Sequence, residues 1–229
     1  MICPICNSSK FQDRAGRKNS QCVSCKAMER TRLLYMVLKK FGVLNSNIKI
    51  LHLEPEGALM KIFTELSPSG YFPCSVNQNN YDCRIYKLES SCDIDKFPRQ
   101  CFDLIVHNHF LGKIPLPLNY TLKVFSEILK PSGYHFFTAV IENGLTNEAL
   151  EELSYKERIK QFGNPNRFHK FGRDDFIPLL QNLWNNENVY IKNEKIFSLQ
   201  EYLNAALSEK LFSSITSSTI FCQKGSLVK

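Results

Sequence analysis

The chain has 229 residues and a formal net charge of +7, with 43% hydrophobic and 22% charged residues. These fractions are those of a globular protein and exclude wholesale disorder, while the length suits one domain with a small appendage. No apolar run approaches the roughly 18 residues needed to span a bilayer, and the N-terminus lacks a signal-peptide pattern, so a soluble cytoplasmic protein is expected.

The charge is concentrated. Residues 1–40 hold nine basic residues (Lys10, Arg14, Arg17, Lys18, Lys26, Arg30, Arg32, Lys39 and Lys40) against Asp13 and Glu29, so the whole excess lies there and the rest of the chain balances to zero. Such a segment is either a face for a polyanion or a solvated surface.

In chain order, the first motif is Cys3-Pro-Ile-Cys6 followed by Cys22-Val-Ser-Cys25, a C-x2-C-x15-C-x2-C spacing. Two cysteines three apart on a tight knuckle point both sulfurs at one ion, and two knuckles complete a tetrahedron. The residues between have too few apolar side chains for a core, so a structural zinc ribbon over 1–27 is predicted, with Cys3, Cys6, Cys22 and Cys25 as ligands. Four thiolates close the site and leave no open position for catalysis. Arg30 and Arg32 are candidates for donors to sulfur or for contacts to the main domain.

Apolar residues at 34, 37, 38 and 41 predict a helix within a linking segment 28–46, ended by Gly42. An α/β domain follows over 47–229. Strands are expected at 47–55, 70–77, 86–92, 101–110, 134–141, 189–197 and 218–224. Helices are expected at 57–66, 118–133 (ending in a Pro131–Gly133 turn), 146–163 and 173–184, the last with Pro178 as a weak point. This alternation predicts a mainly parallel sheet, with ligands beyond the carboxyl ends of its strands. Polar residues cluster at those ends: Glu54-Pro55-Glu56, Asn77-Gln78, Ser90 to Asp95, and His107-Asn108-His109. Cys74, Cys83, Cys92 and Cys101, nine apart, lack close pairs and are expected to be ordinary semi-buried cysteines. No G-x-G occurs, so a glycine-fingerprint nucleotide loop or a P-loop is absent as a pattern.

The stretches CVSCKAMERTRLLY, ILHLEPEGAL, CDIDKF, CFDLIVHNHFLGKIP, SEILKPSGYHFF and KERIKQFGNPNRFHKFGRDDF, in this order over about residues 1–185, carry a resemblance. The chain resembles bacterial class I SAM-dependent methyltransferases with an N-terminal zinc ribbon. The resemblance implies a Rossmann-like sheet with helices on both faces and SAM as cofactor beside structural Zn²⁺. It implies that His52, Glu54, Pro55, Glu56 and Gly57 wrap the methionine part of SAM. By the same pattern Asn77 stands where an acid normally binds ribose, Asp93 contacts adenine, and the fourth strand presents Asn108 and His109.

The chain departs from the pattern at two places. Where N-H-x-L-E-H-I is usual, Gly112 and Lys113 replace the Glu and the second His. Where F-G-Q-x-D-H-x-R is usual, residues 162–169 read Phe-Gly-Asn-Pro-Asn-Arg-Phe-His. His109 is the candidate general base, because an oxygen or nitrogen acceptor must lose a proton as the methyl arrives and histidine titrates near neutrality. His107 could share its face by strand alternation, and His169 in the altered stretch is a second catalytic candidate. Tyr81 and Tyr86 are candidate adenine or substrate contacts.

The expected function is therefore methyl transfer from SAM to an oxygen or nitrogen of an unidentified small molecule, protein or nucleic acid, with a weak basic face at the ribbon and no membrane partner. Two alternatives stand beside it. One is a catalytically degenerate SAM-fold accessory protein; the other is a ribbon-led nucleic-acid-binding protein.

Overall fold

The computed structural model describes residues 1–76, 86–88, 91–149, 153–215 and 219–225. Asn77, Tyr81 and Cys83 lie outside them. The N-terminal segment is a hairpin between two cysteine knuckles. Strands β1 (Phe11–Arg14) and β2 (Arg17–Cys22) pair antiparallel. They turn through Ala15 and Gly16, whose φ angles of 53° and 72° are the left-handed pair that matches strand twist in a two-residue hairpin.

Helix α1 (Glu29–Lys40) leaves the second knuckle and buries Leu33, Leu34, Val37 and Leu38, the face its periodicity predicts. Gly42, at φ 64°, follows its end. The main sheet then builds from β3 (Ile50–Leu53), helix α2 (Gly57–Leu66), β4 (Tyr71–Ser75) and β5 (Tyr86–Lys87) to one side. To the other side come β6 (Phe102–Asn108), helix α3 (Leu118–Ile128) and β7 (Leu129–Thr138).

A small three-stranded sheet is formed by β8 (Ile141–Glu142), β9 (Asn147–Glu148) and, after helix α4 (Tyr155–Phe162), the central β10 (His169–Gly172). Helices α5 (Arg173–Trp184), α6 (Asn193–Ile196) and α7 (Leu199–Asn204) precede β11 (Ile220–Lys224). The main sheet has order β11-β7-β6-β3-β4-β5, parallel throughout except for β11. The central strands β3 and β6 are almost wholly buried, as parallel strands covered on both faces must be.

Two apolar layers cover the sheet. One packs α1 and α2 with Phe197 and Tyr202 against Ile50, Leu104, Val106 and Phe136. The other packs α3 and α5 against Leu51, Leu53, Ile105 and Phe137. This is the Rossmann-like α/β architecture expected from the alternation of elements.

Several boundaries differ from the expectation. The third strand is only Tyr86–Lys87, and residues 91–96 form a 3-10 turn instead. The helix predicted to run up to a Pro131–Gly133 turn stops at Ile128: Leu129 already pairs with Phe102, and pairing resumes at Tyr134 with Leu104. The Pro-Ser-Gly sequence is thus a break in register within β7, where Lys130 bonds Asp103 at 2.8 Å.

Among the described residues of the 146–163 segment, Tyr155–Phe162 are helical, begun by a Ser154–Glu157 capping box, while Asn147–Glu148 are extended. The predicted 189–197 strand is a single bridge from Tyr190 to Phe221, after which Asn193–Ile196 turn helical. Helix α7, begun by a Ser198–Glu201 capping box, was not anticipated from the sequence. The α5 helix runs through Pro178.

The core also holds a histidine pair. His107 on β6 and His135 on β7 meet Nε2 to Nε2 at 3.0 Å, packed among Phe110, Phe125 and Phe137. One ring donates and the other accepts, so the pair is neutral. Burial pulls His135 down to about 3, and burial with the neighbouring histidines pulls His107 well below the usual range.

The consequence for stability follows from linkage. Folded pKa values below the unfolded value of about 6.5 mean that the unfolded chain binds more protons as pH falls through that window. Stability should therefore be full above about pH 6.5 and decline as pH falls toward 4. Thermal melts across this range should show the decline, and the His107→Phe/His135→Leu double variant should make it shallower, leaving the part due to His109 and His169, which burial also lowers to about 4. An equally steep profile in that variant would reject the assignment.

Candidate functional site

Beyond β3 the chain continues to β4 on one side, and beyond β6 it continues to β7 on the other. The crevice outside their carboxyl ends is therefore the switch point of the sheet, where open α/β sheets bind ligands. Both strands leave the sheet through a residue in the left-handed region, Glu54 at φ 49° and His109 at φ 55°. For non-glycine residues this costs about 1 kcal/mol or more, and such strain concentrates at functional sites. Backbone bonds hold both turns: Glu54 N–H donates to Cys74 O at 2.9 Å and His109 N–H to Thr138 O at 3.1 Å.

The two strand ends are joined by side chains. Glu56 stands at the N-cap of α2. Its Oε1 accepts a short bond from Asn108 Nδ2, and its Oε2 lies 3.3 Å from His52 Nε2. Asn108 in turn accepts from Thr138 Oγ1 at 2.8 Å, and His52 Nδ1 meets the Tyr71 hydroxyl at 3.0 Å. One chain of contacts thus links β4, β3, α2, β6 and β7. Arg30 of α1 adds a charge, its Nε 3.9 Å from Glu56 Oε1. Burial opposes the Glu56 carboxylate, but His52, Asn108 and Arg30 together hold it below the usual carboxylate range.

Glu54 faces the other way. Its Oε1 accepts from Ser75 Oγ at 2.9 Å and Val76 N–H at 3.3 Å, and Lys113 Nζ lies 3.9 Å from its Oε2. Pro55 is buried between the two glutamates, whereas Gly57 is exposed and a Cβ there would meet nothing within 4 Å. No side chain caps the start of α2. The α2 N-terminus therefore opens toward the crevice side of the sheet with its first N–H groups without a side-chain cap.

His109 is half-buried, and its Nδ1 is buried without a hydrogen-bond partner. Burial and the cations of Arg30, Arg167 and Lys113 pull it down to about 4 against the opposing charge of Glu56, so the ring is neutral at physiological pH. His107 does not share its face. The left-handed turn at 109 breaks the strand alternation, and His107 points into the core with His135.

The other sequence candidates lie on separate elements. Asp93 sits on the 3-10 turn after β5, 2.8 Å from Lys96. His169 lies on β10, buried, its ring stacked on Phe171 and its Nε2 3.7 Å from Glu148. Among the described residues, no hydrogen bond or ion pair joins His169 to Glu54, Glu56, Asn108 or His109. The sequence reading missed Tyr71, Thr138 and Arg167. Thr138 ends β7 beside Asn108, a signal that alignment of strand ends would have given.

The four N-terminal cysteines converge. Their sulfurs lie within 4.8 Å of one another, with Cys3 to Cys25 and Cys6 to Cys22 both at 3.6 Å. Zn–S bonds of 2.3 Å in a tetrahedron give sulfur separations of about 3.8 Å, whereas a disulfide needs about 2.05 Å. The two knuckles repeat one geometry. Cys3 N–H donates to Ser8 O and Cys22 N–H to Ala27 O; Asn7 N–H returns to Cys3 O and Lys26 N–H to Cys22 O. Asn7 and Lys26 both have positive φ, and backbone N–H groups of Ile5 and Cys6, and of Ser24 and Cys25, point at the first sulfur of each pair. The cluster fits a tetrahedral metal ion.

Arg32 locks this segment to the body. Wholly buried, it donates to the carbonyls of Asn19, Ser20 and Ala27 in the ribbon and of Ala205 and Ala206 beyond α7.

No protein-family model matches the chain, and no curated protein sequence matches it. The fold is similar to solved methyltransferases. A SAM-dependent methyltransferase from Mesorhizobium loti aligns over 82% of this chain and 95% of its own length, with 13% identity and a TM-score of 0.51. The 1,6-didemethyltoxoflavin-N1-methyltransferase of Burkholderia thailandensis, solved with that compound and S-adenosylhomocysteine (SAH), aligns over 86% of this chain and 78% of its own length, with 10% identity and a TM-score of 0.50. At identities this low the likeness establishes the shared fold alone. Among the described residues, no helix is long and apolar enough to cross a membrane.

Proposed function

We propose that the chain is a SAM-dependent methyltransferase acting on an oxygen or nitrogen acceptor, with a zinc ribbon at its N-terminus. The observation that carries this reading is the Asn108–Glu56 bond across the switch point of a methyltransferase-like sheet. It gathers the two strand ends that a SAM site of this fold would use.

SAM, when bound, supplies an electrophilic methyl group on a sulfonium. The segment His52 to Gly57 and Asn108 would hold its methionine end, Asn77 its ribose and Asp93 its adenine. Glu54 and Glu56 present fixed negative charge suited to a cationic ligand. His109, neutral and with an unpartnered Nδ1, is the group able to take the proton an acceptor releases. His169 is the second candidate for that role. In-line methyl transfer asks mainly for positioning and exclusion of water, which the rigid turns at 54 and 109 favour.

Calorimetry tests the reading. The protein should bind SAM and SAH one to one, and Glu56→Gln should weaken SAH by about tenfold or more, since it removes a charge while keeping the shape. No binding at about millimolar ligand would reject the reading.

A further inference from the structure

The ribbon meets the body along two grooves. One, of about 610 Å³, is lined by Met1, Ile2, Met36 and Phe197 with Lys39 and Lys40. The other, of about 640 Å³, is lined by Leu203 and Leu207 with Arg17, Lys18, Lys210 and Glu29. Met1 and Asn204 line both, so the two join into one surface across ribbon, α1 and α7. The Ile2 N–H to Asn204 O bond at 2.6 Å pins its middle. Helix α1 presents Arg30 at the switch point and Lys39 here, nine residues further on, which is about 14 Å along the helix.

The surface combines apolar side chains with free positive charge. Met1, Ile2 and Leu203 are exposed, at 58%, 56% and 37%. Exposed apolar side chains gathered in a groove and rimmed by charge mark an interaction site. Both carboxylates of the grooves are taken up by the fold. Glu29 is buried, holding Arg17 at 3.0 Å and the Ser208 N–H at 3.2 Å. Glu201 caps α7 with Ser198 and lies 3.5 Å from Lys40. Lys18, Lys39 and Lys210 are exposed, and among the described residues none of the three forms an ion pair.

We infer that this surface docks an acidic amphipathic segment of a partner protein, its apolar side chains in the two grooves and its carboxylates on Lys18, Lys39 and Lys210. Charge complementarity sets the sign of the partner, and a helix with apolar anchors three and four residues apart has the form two adjoining grooves accept. Nucleic acid lacks a counterpart here. Met1 and Asn204 separate the lysines of one groove from those of the other, and Phe197, the aromatic residue lining them, is buried with Lys40 Nζ 5.6 Å over its ring, so these grooves offer no bare ring for base stacking. With Met1 and Ile2 on one wall and Phe197 and Leu203 on the other, the partner would clamp the ribbon to the body.

The test is fluorescence anisotropy of the full chain, purified with zinc and without SAH, against a labelled helical peptide of leucine and glutamate with its leucines three and four residues apart. The peptide should bind in the micromolar range. Lys39→Glu/Lys210→Glu should weaken it about tenfold and Leu203→Ser severalfold, both with unchanged Tm. Absence of binding, or equal binding by polyglutamate or by the same peptide with lysine for glutamate, would overturn the inference. Tighter binding of an oligouridylate would overturn it in favour of nucleic acid, and self-association of the chain that Leu203→Ser abolishes would overturn it in favour of a second copy. Omitting SAH keeps each of these outcomes separate from the methyltransferase reading.

Discussion

Replacing Cys22 by Ser should reduce bound zinc from one per chain to almost none and melt residues 1–27 while the main sheet persists. The hairpin β1–β2 has no core of its own: its strands carry the burial patterns of a surface ribbon, and only the C-terminal half of β2 is buried. Its shape is set by two knuckles whose sulfurs meet at 3.6 Å across the pairs. Structural zinc of this type contributes on the order of 10–16 kcal/mol of apparent binding free energy, nearly all of it folding free energy. Serine cannot supply a thiolate. Elemental analysis, with limited proteolysis of the N-terminal segment and far-ultraviolet circular dichroism of the whole chain, reads the three parts. Unchanged zinc in Cys22→Ser would reject the ribbon.

Arg32→Ala should destabilise the protein by about 3–5 kcal/mol, because it removes a buried charge that five backbone carbonyls depend on. For a chain of this size that is a fall in Tm on the order of 10 °C. Arg32→Lys should rescue little, since a single ammonium cannot reach carbonyls on both sides of the junction. Among the described residues, no carboxylate bonds the guanidinium directly. Burial pushes its pKa down, and the fields of Cys3, Glu29, Cys22 and Cys25 push it back. A zinc-loaded tetrathiolate carries about −2, so it is the natural counter-charge. Metal removal and Arg32→Ala should therefore be strongly non-additive in thermal denaturation. A Tm shift of about 2 °C or less in Arg32→Ala would mean that water replaces the bonds.

The same coupling changes the meaning of the basic N-terminus. Of the nine cations in residues 1–40, Arg32 is internal, Arg17 pairs with Glu29 at 3.0 Å, Lys40 lies 3.5 Å from Glu201, and Arg30 faces the switch point. Four of the nine cations thus join ribbon, body and site, while Lys10, Arg14, Lys18, Lys26 and Lys39 are exposed and form the basic face of the ribbon segment.

What the sequence determined by itself was local. The C-x2-C pairs encode a metal knuckle because three residues suffice to aim two sulfurs. The spacing in α1 encodes a buried face because helix period is intrinsic to the backbone, and apolar runs locate β3 and β6 because parallel central strands are covered on both sides. The polar residues closing those runs, Glu54 to Glu56 and Asn108-His109, were visible for the same reason. The stretches departing from the methyltransferase-like pattern were visible too, and they carry Lys113 and Arg167.

Only the tertiary structure decided which of these ends meet. Periodicity reports that a residue is buried or stands at an end, not what it faces. The Glu56–Asn108 bond spans 52 residues and the Arg32–Ala206 bond 174. Both depend on sheet order and on how the last helices return to the ribbon, and no local pattern contains either. His107 and His109 make the same point at short range. Alternation predicted one face for both, but a left-handed φ at 109, held by the end of β7, sends one to the core and the other to the site.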